Sequence, residues 1–107
     1  MSTMLPYGNL SKLIVVSLAL SPAQVAINTT VRQTFSCPGV NPATDTVIGV
    51  SKPTLQTGLL VPSGAVTATD TIGLDFMNNT GGAITPTAGE TYSVLIVRRD
   101  ASQANFQ

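Results

Sequence analysis

The sequence predicts an all-β protein: a small single-domain antiparallel β-sandwich or jelly roll with an extended N-terminal arm. Apolar residues alternate along six or seven short segments, and Gly, Pro or Asn stands at nearly every break between them. No window carries an apolar stripe at helical spacing, and helix-forming Glu and Lys are scarce. Short strands that recur in this way are typical of sandwiches and jelly rolls.

The length of the chain sets the domain organisation. A chain of 107 residues suits one domain, because two separate cores would each be too small to be stable. We expect an arm over residues 1–11, a β-sandwich domain over 12–99 and a tail over 100–107. The arm contains Pro6 and Gly8 and has no sustained periodicity.

The charge and the chemical repertoire of the chain are both small. Five Lys or Arg balance five Asp or Glu, so no long-range field attracts nucleic acid or an anionic membrane. There is no histidine, and Cys37 is the single cysteine, which excludes an imidazole metal site and an intramolecular disulfide. We expect no cofactor, metal or small-molecule substrate, and we expect Cys37 to be a small buried core residue.

The first strand is predicted from Lys12 to Leu20, where β-branched residues alternate and one face is wholly apolar, formed by Ile14, Val16, Leu18 and Leu20. The same stretch, continued to Ala26, also imitates a secretory signal sequence, although it is too short to span a bilayer. N-terminal sequencing from the native source distinguishes the two interpretations, because cleavage would leave Ile27 as the first residue.

The middle of the chain predicts five further pieces of strand. In the second strand Val31, Gln33, Phe35 and Cys37 share one side. A third strand lies around Val47–Val50, and a short fourth piece at Leu59–Leu60 is interrupted by Pro62, which belongs at an edge or a bend. A hairpin follows, with Ala65–Ala68, a turn near Thr69–Asp70, and inward-facing Ile72, Leu74 and Phe76.

The last strand and the loop before it complete the pattern. Thr91–Arg99 is apolar on both sides in its middle, as in a central strand or one covered on both faces. In the loop after Phe76 we expect Asn78, Asn79, Gly81 and Gly82 to accept positive φ, so that the loop serves the topology of the fold.

The acidic residues do not predict an enzyme. Asp70 and Asp75 are close enough in sequence to form a catalytic pair in principle. A turn aspartate beside a solvent-facing strand aspartate explains both more simply. We therefore expect a protein without catalytic activity.

A series of phrases in the sequence resembles small β-domain virion proteins of tailed bacteriophages, the class that includes capsid decoration and cement proteins. The phrases are LSPAQVAINTT, SKPTLQTGL and TATDTIGLDFMNNTGGAITPTAGETY, and the likeness extends over residues 15–99. It implies a non-enzymatic protein on the capsid surface that bridges major capsid subunits and binds copies of itself, with a homotrimer favoured and a dimer left open.

The expected interface consists of apolar groups in both ends of the chain, an aliphatic pair at a predicted edge and two arginines that end the last strand. These residues are Met4, Leu5, Tyr7, Leu59, Leu60, Arg98, Arg99 and Phe106.

Two other functions fit the same strand pattern. One is a tail or fibre module with protein or glycan contacts, although the absence of Trp weakens a sugar site. The other is a secreted immunoglobulin-like adhesion domain, which would require a genuine signal peptide.

Overall fold

The computed structural model describes the backbone of residues 10–99 and the side chains of residues 12–99. This part of the chain is all-β, and its strands run over Leu10–Leu20 (β1), Thr29–Ser36 (β2), Asp45–Ser51 (β3), Leu59–Ala68 (β4), Thr71–Asn78 (β5) and Glu90–Arg99 (β6). The predicted all-β class is therefore confirmed. Within the described residues no helix is long and apolar enough to cross a membrane.

The strands form two three-stranded sheets in which every pairing is antiparallel. The first sheet has the order β1-β6-β3, and the second has the order β2-β5-β4. β6 is central, as its apolar middle predicted, and β5 is central in the second sheet. Each sheet therefore has two edge strands, which are β1 and β3 in the first and β2 and β4 in the second.

One apolar core joins the two sheets. The inward residues of β6 are Tyr92, Val94 and Ile96, and those of β5 are Ile72, Leu74 and Phe76; all six are at most 1% exposed. The Phe76 ring makes edge-to-face contacts with Phe35 and Tyr92, at centroid distances of 6.4 Å and 6.3 Å. Such pairs prefer this geometry because the positive edge of one ring meets the negative face of the other.

Two predicted core features are confirmed. Ile14, Val16 and Leu18 are more buried than their outward neighbours in β1, and Leu20 is buried. Cys37 is 1% exposed, and burial is the main cause that raises the pKa of its thiol. Cys37 is therefore a core residue without thiolate character.

Two local expectations are wrong. The piece at Leu59–Leu60 and the first arm of the hairpin are one strand, β4, which runs through Pro62. The register shifts between Leu60 and Ser63, so an irregularity at the edge accommodates the missing N–H of the proline. β1 also begins at Leu10, inside the range expected for the arm.

The loop after β5 was predicted to use positive φ at Asn78, Asn79, Gly81 and Gly82, and it does not. Positive φ occurs at Asn28, Asp70, Gly39, Gly58 and Gly89. The loop is organised instead by the side chain of Asn78, which is 1% exposed. Its amide nitrogen donates to Val25 O and Gly82 O, and its amide oxygen accepts from the backbone and hydroxyl of Thr80.

Candidate protein-interaction surface

The outward face of the first sheet carries a group of aliphatic side chains. Leu13 lies opposite Val97, and two residues further along β1, on the same face, Val15 lies opposite Leu95. On β3 the register shifts between Val47 and Gly49, so Ile48 lies at the shift, next to Gly49, which is opposite Leu95. We call the group formed by Leu13, Val15, Ile48, Leu95 and Val97 the outer patch.

The outer patch is open to solvent in the described part of the chain. Leu13 is 61% exposed, Val15 is 64% exposed and Ile48 is 54% exposed. Leu95 and Val97 are half-buried, because they lie on the central strand between the other two. Single exposed aliphatic residues are ordinary, whereas neighbouring ones on a single sheet face are typical of a surface that binds another molecule.

The local sequence explains why the outer patch forms. Side chains of a strand alternate between faces, so a strand with apolar residues at consecutive positions supplies both the core and the outside. In β6, Val94 and Ile96 are buried in the core while Leu95 and Val97 point outward. In β1, Ile14 and Val16 point inward while Leu13 and Val15 point outward.

The outward face of the second sheet has a different chemistry. Arg32 and Asp75 lie opposite each other and form two hydrogen bonds, Nε to Oδ1 at 2.6 Å and Nη2 to Oδ2 at 3.0 Å. Ser63 Oγ also donates to Asp75 Oδ2, at 2.5 Å. The hydrogen bond from Arg32 is the largest cause that lowers the pKa of Asp75, so the carboxylate is charged at neutral pH.

The contrast between the two outward faces shows which of them is chemically better suited to contact another protein. The Arg32–Asp75 pair satisfies its own charges and remains in contact with water. Burial of the apolar groups on the other face against another surface is favourable, by about 25 cal/mol for each Å² removed from water. The first sheet therefore supplies the better protein-binding surface.

The predicted interface residues fall into three groups. Met4, Leu5, Tyr7 and Phe106 lie outside the described residues. Leu59 is 3% exposed and belongs to the core, whereas its neighbour Leu60 is 43% exposed. Leu60 lies opposite Met77 on the second sheet, so it is not part of the outer patch.

The two arginines at the end of β6 make contacts within the chain. Arg98 donates to both carboxylate oxygens of Asp45, and its Nη2 also donates to Gly39 O at 2.7 Å. Arg99 donates from Nη2 to Ala43 O. These bonds give both residues a structural role at the loop between β2 and β3.

The remaining acidic groups are also held by neighbours. Asp70, in the turn between β4 and β5, accepts at Oδ1 from Gly39 N of the loop between β2 and β3, at 2.8 Å. Glu90 contacts Lys52, with Nζ and Oε1 2.9 Å apart, and accepts a hydrogen bond from the hydroxyl of Thr54. Among the described residues no three His, Cys, Asp or Glu side chains are grouped as a metal site would require.

Comparison with known protein families finds none that matches this chain. Curated proteins and solved structures supply no match either. The outer patch and the chemistry around it are therefore the features of the chain that bear on its function.

Sequence reasoning did not single out the outer patch, although its signal is present. The sequence of the last strand is apolar on both sides in its middle, but whether its outward face is exposed depends on what covers that face. The pairing of β6 with β1 and β3 brings Leu95, Val15 and Ile48 onto the same side, and pairing between distant strands is not readable from one sequence.

Proposed function

We propose that this protein is a non-enzymatic structural protein of a tailed-bacteriophage virion, which decorates or cements the capsid by binding neighbouring major capsid subunits. The observation that carries the proposal is the outer patch. A neutral β-domain with an apolar sheet face is suited to bind polypeptide surfaces. The virion is assigned on the resemblance of residues 15–99 to small β-domain virion proteins.

The proposal includes the finer architecture. We take the two sheets to stack face to face as a β-sandwich, because inward residues from both belong to one core cluster. In that arrangement the outward face of the first sheet is a broad surface, and loops at the ends of the strands do not need to form the contact.

The distribution of charge favours a partner with an apolar protein surface over a highly charged partner. The whole chain has a net charge of zero, and the outer patch contains only aliphatic side chains. An interface of this kind gains affinity from apolar burial and depends little on salt. A capsid shell also presents the partner surface in many copies, which stabilises a weakly held domain by mass action.

The size of the face limits what it can do alone. β6 has ten residues, so at about 3.3 Å per residue and about 4.8 Å per strand the three-stranded face covers on the order of 450 Å². A stable protein complex buries roughly 800 Å² on each partner. The proposal therefore requires contacts beyond one copy of this face, such as a second copy or the ends of the chain.

The two ends of the described part of the chain lie side by side. Leu10 and Arg99 are paired partners at one end of the first sheet. That end is also the end at which Leu13 and Val97 lie. The expected contacts of Met4, Leu5, Tyr7 and Phe106 would then extend the outer patch.

The experiment that tests this function uses particles of the source phage. Mass spectrometry of gradient-purified particles should detect the protein in a fixed ratio to the major capsid protein. Particles assembled without it should release DNA at a lower temperature, and added protein should restore the original temperature. Absence from purified particles, or unchanged heat and osmotic stability without the protein, would contradict the proposal.

A further inference from the structure

β1 is an edge strand whose longer part, from Leu13 to Leu20, lacks the features that protect edges from pairing. From Leu13 to Leu20 it contains no charged residue, no proline and no glycine. Its register with β6 is regular from Lys12 to Leu20, and the only shift lies before Lys12. Natural edge strands are normally interrupted by lysine, proline or a bulge, since a regular apolar edge is a template for another strand.

The other three edge strands are interrupted or covered. β3 has a register shift between Val47 and Gly49, and β4 has two shifts and contains Pro62. β2 carries Arg32 in its middle, and its Gln33 side chain bonds both backbone groups of Ala23, at 2.7 Å and 3.0 Å. The chain at Ala23 is therefore held beside β2.

The free side of β1 is also open in the described structure. Within residues 10–99, the backbone bonds outside the strand ladders involve β1 only at Leu20, whose carbonyl accepts from Gly89 N at 2.9 Å. The side of β1 away from β6 thus retains backbone donors and acceptors that a further strand can satisfy.

We propose that β1 pairs in antiparallel fashion with β1 of a second copy of this chain, about a two-fold axis perpendicular to the sheet. The two first sheets then form one sheet of six strands in the order β3-β6-β1-β1-β6-β3. Two facing segments of eight residues form about eight backbone hydrogen bonds. Two-fold symmetric dimers are the commonest assemblies of soluble proteins.

The symmetry matches the alternation of side chains. A two-fold axis perpendicular to the sheet keeps the outward face of both copies on the same side, so Leu13, Val15 and Ser17 of one copy meet outward residues of the other. The inward residues Ile14 and Val16 meet inward residues in the same way. The pairing therefore brings apolar side chains of the two β1 strands into cross-strand contact on both faces, while the outward face of the sheet stays open to solvent.

The charge of β1 favours the antiparallel direction. Lys12 is the one charged residue in β1, and it precedes the uncharged segment. A pairing whose axis passes at Val15, Ser17 or Ala19 places the two Lys12 residues about 20 Å or more apart, at opposite ends, which is beyond the Debye length at physiological salt. A parallel pairing would place them side by side.

This inference deepens the proposed function, because it names a second copy as one partner and leaves the outer patch exposed for the other. The six-stranded sheet carries two outer patches on one face, in a single surface on the order of 900 Å². That area reaches the size of an ordinary protein interface.

The first test compares two serines in the same row of the sheet. Ser17 on β1 and Ser51 on β3 both lie opposite Ser93, and both are exposed. Sedimentation equilibrium of the full chain should show a dimer that Ser17→Lys dissociates, with at least a tenfold increase in Kd. Ser51→Lys should leave the dimer intact, because it changes the opposite edge of the same sheet.

The second test measures the geometry by cross-linking. Cys37 is buried, so a cysteine introduced at the surface is the only reactive thiol. Under mild oxidation, cysteines placed singly at Val15, Ser17 and Ala19 should give disulfide-linked dimers with a maximum at one position, because only one lies nearest the axis. Ser51→Cys should remain monomeric in denaturing gels.

The outcomes separate this inference from the proposed function. A chain that stays monomeric at millimolar concentration, or a dimer that Ser51→Lys weakens as much as Ser17→Lys, would overturn pairing through β1. Dimers formed by stacked faces would give the second result. A monomer that still binds particles would contradict pairing through β1 and support the virion proposal. A β1-paired dimer that is absent from particles would support the pairing and contradict the virion proposal.

Discussion

Arg98 and Asp45 lie opposite each other on β6 and β3, and their side chains form a two-bond ion pair. Arg98 Nε donates to Asp45 Oδ1 at 2.7 Å, and Nη2 donates to Oδ2 at 2.8 Å. The Asp45 side chain is completely buried, and it also accepts from Asn41 N. This pair fixes the loop between β2 and β3 against the first sheet.

Loss of the Asp45 charge should destabilise the fold. Asp45→Asn keeps the shape of the side chain but leaves the Arg98 guanidinium without its counter-charge, and we expect a loss of about 2 kcal/mol in the free energy of unfolding. The loss is below that of a fully buried pair because Arg98 is partly exposed. Urea unfolding followed by circular dichroism measures it, with exposed Thr46→Ala as the neighbouring control. Equal stability of the two variants would contradict the structural role of the pair.

Acid should weaken the protein through the same carboxylates. The hydrogen bond from Arg98 is the main cause that lowers the pKa of Asp45 below its ordinary value of 3.8, and Arg32 lowers that of Asp75. A lowered folded-state pKa stabilises the fold above the unfolded-state value, and this contribution is lost as the pH falls below about 4. Urea midpoints measured from neutral pH downward should decrease in that range. The decrease should be smaller in Asp45→Asn, and an identical decrease would contradict the assignment.

The side-chain amide of Asn78 should contribute more to the free energy of unfolding than that of its neighbour Asn79. Asn78 is buried and makes four hydrogen bonds, so Asn78→Ala leaves Val25 O, Gly82 O and Thr80 N with one partner fewer each. We expect a loss of about 3 kcal/mol. Asn79 is exposed, and Asn79→Ala should change the free energy of unfolding by less than about 0.5 kcal/mol. Thermal or urea unfolding of both variants measures the difference, and equal losses would contradict the role given to Asn78.

Tyr92 should make the protein sensitive to alkali. Burial is the main cause that raises the pKa of its hydroxyl to about 12, and the Glu90 charge adds to it. A folded-state pKa above the unfolded value of about 10 stabilises the fold below that pH, and the contribution is lost as the pH rises toward 12. In a Tyr7→Phe background Tyr92 is the one remaining tyrosine. Its tyrosinate absorbance should rise well above about pH 10, together with the loss of folded structure.

Removal of the Tyr92 hydroxyl provides the companion measurement. Among the described residues this oxygen has no hydrogen-bond partner, so Tyr92→Phe should leave the free energy of unfolding at neutral pH unchanged or slightly raised. The same variant should retain its stability above about pH 10. A clear loss of stability at neutral pH would show that the hydroxyl is bonded.

Much of this fold was predictable from local patterns. Alternation placed Ile72, Leu74 and Phe76 in the core, and the proline rule placed Pro62 on an edge. The turn at Asp70 was also predictable, because a short polar side chain tolerates positive φ. These features depend on a few neighbouring residues, which the sequence displays directly.

The parts that were not predictable depend on contacts between distant segments. Asn78 reads as an ordinary loop asparagine, and its buried role follows from the approach of Val25, fifty-three residues earlier. Arg98 reads as a solvent-facing strand end until β3 brings Asp45 opposite it. The outer patch likewise exists only once β1 and β3 flank β6.

Binding to capsid particles tests the central claim most directly. Purified protein should be mixed with source-phage particles that lack it, and the bound fraction measured after sedimentation. Ile48→Lys changes the outer patch far from the β1 edge, whereas Leu55→Lys changes a residue that is 86% exposed and outside the patch. The account predicts saturable binding of the wild type and Leu55→Lys, with at least tenfold weaker binding of Ile48→Lys. Absence of binding by the wild type, or equal binding by both variants, would contradict it.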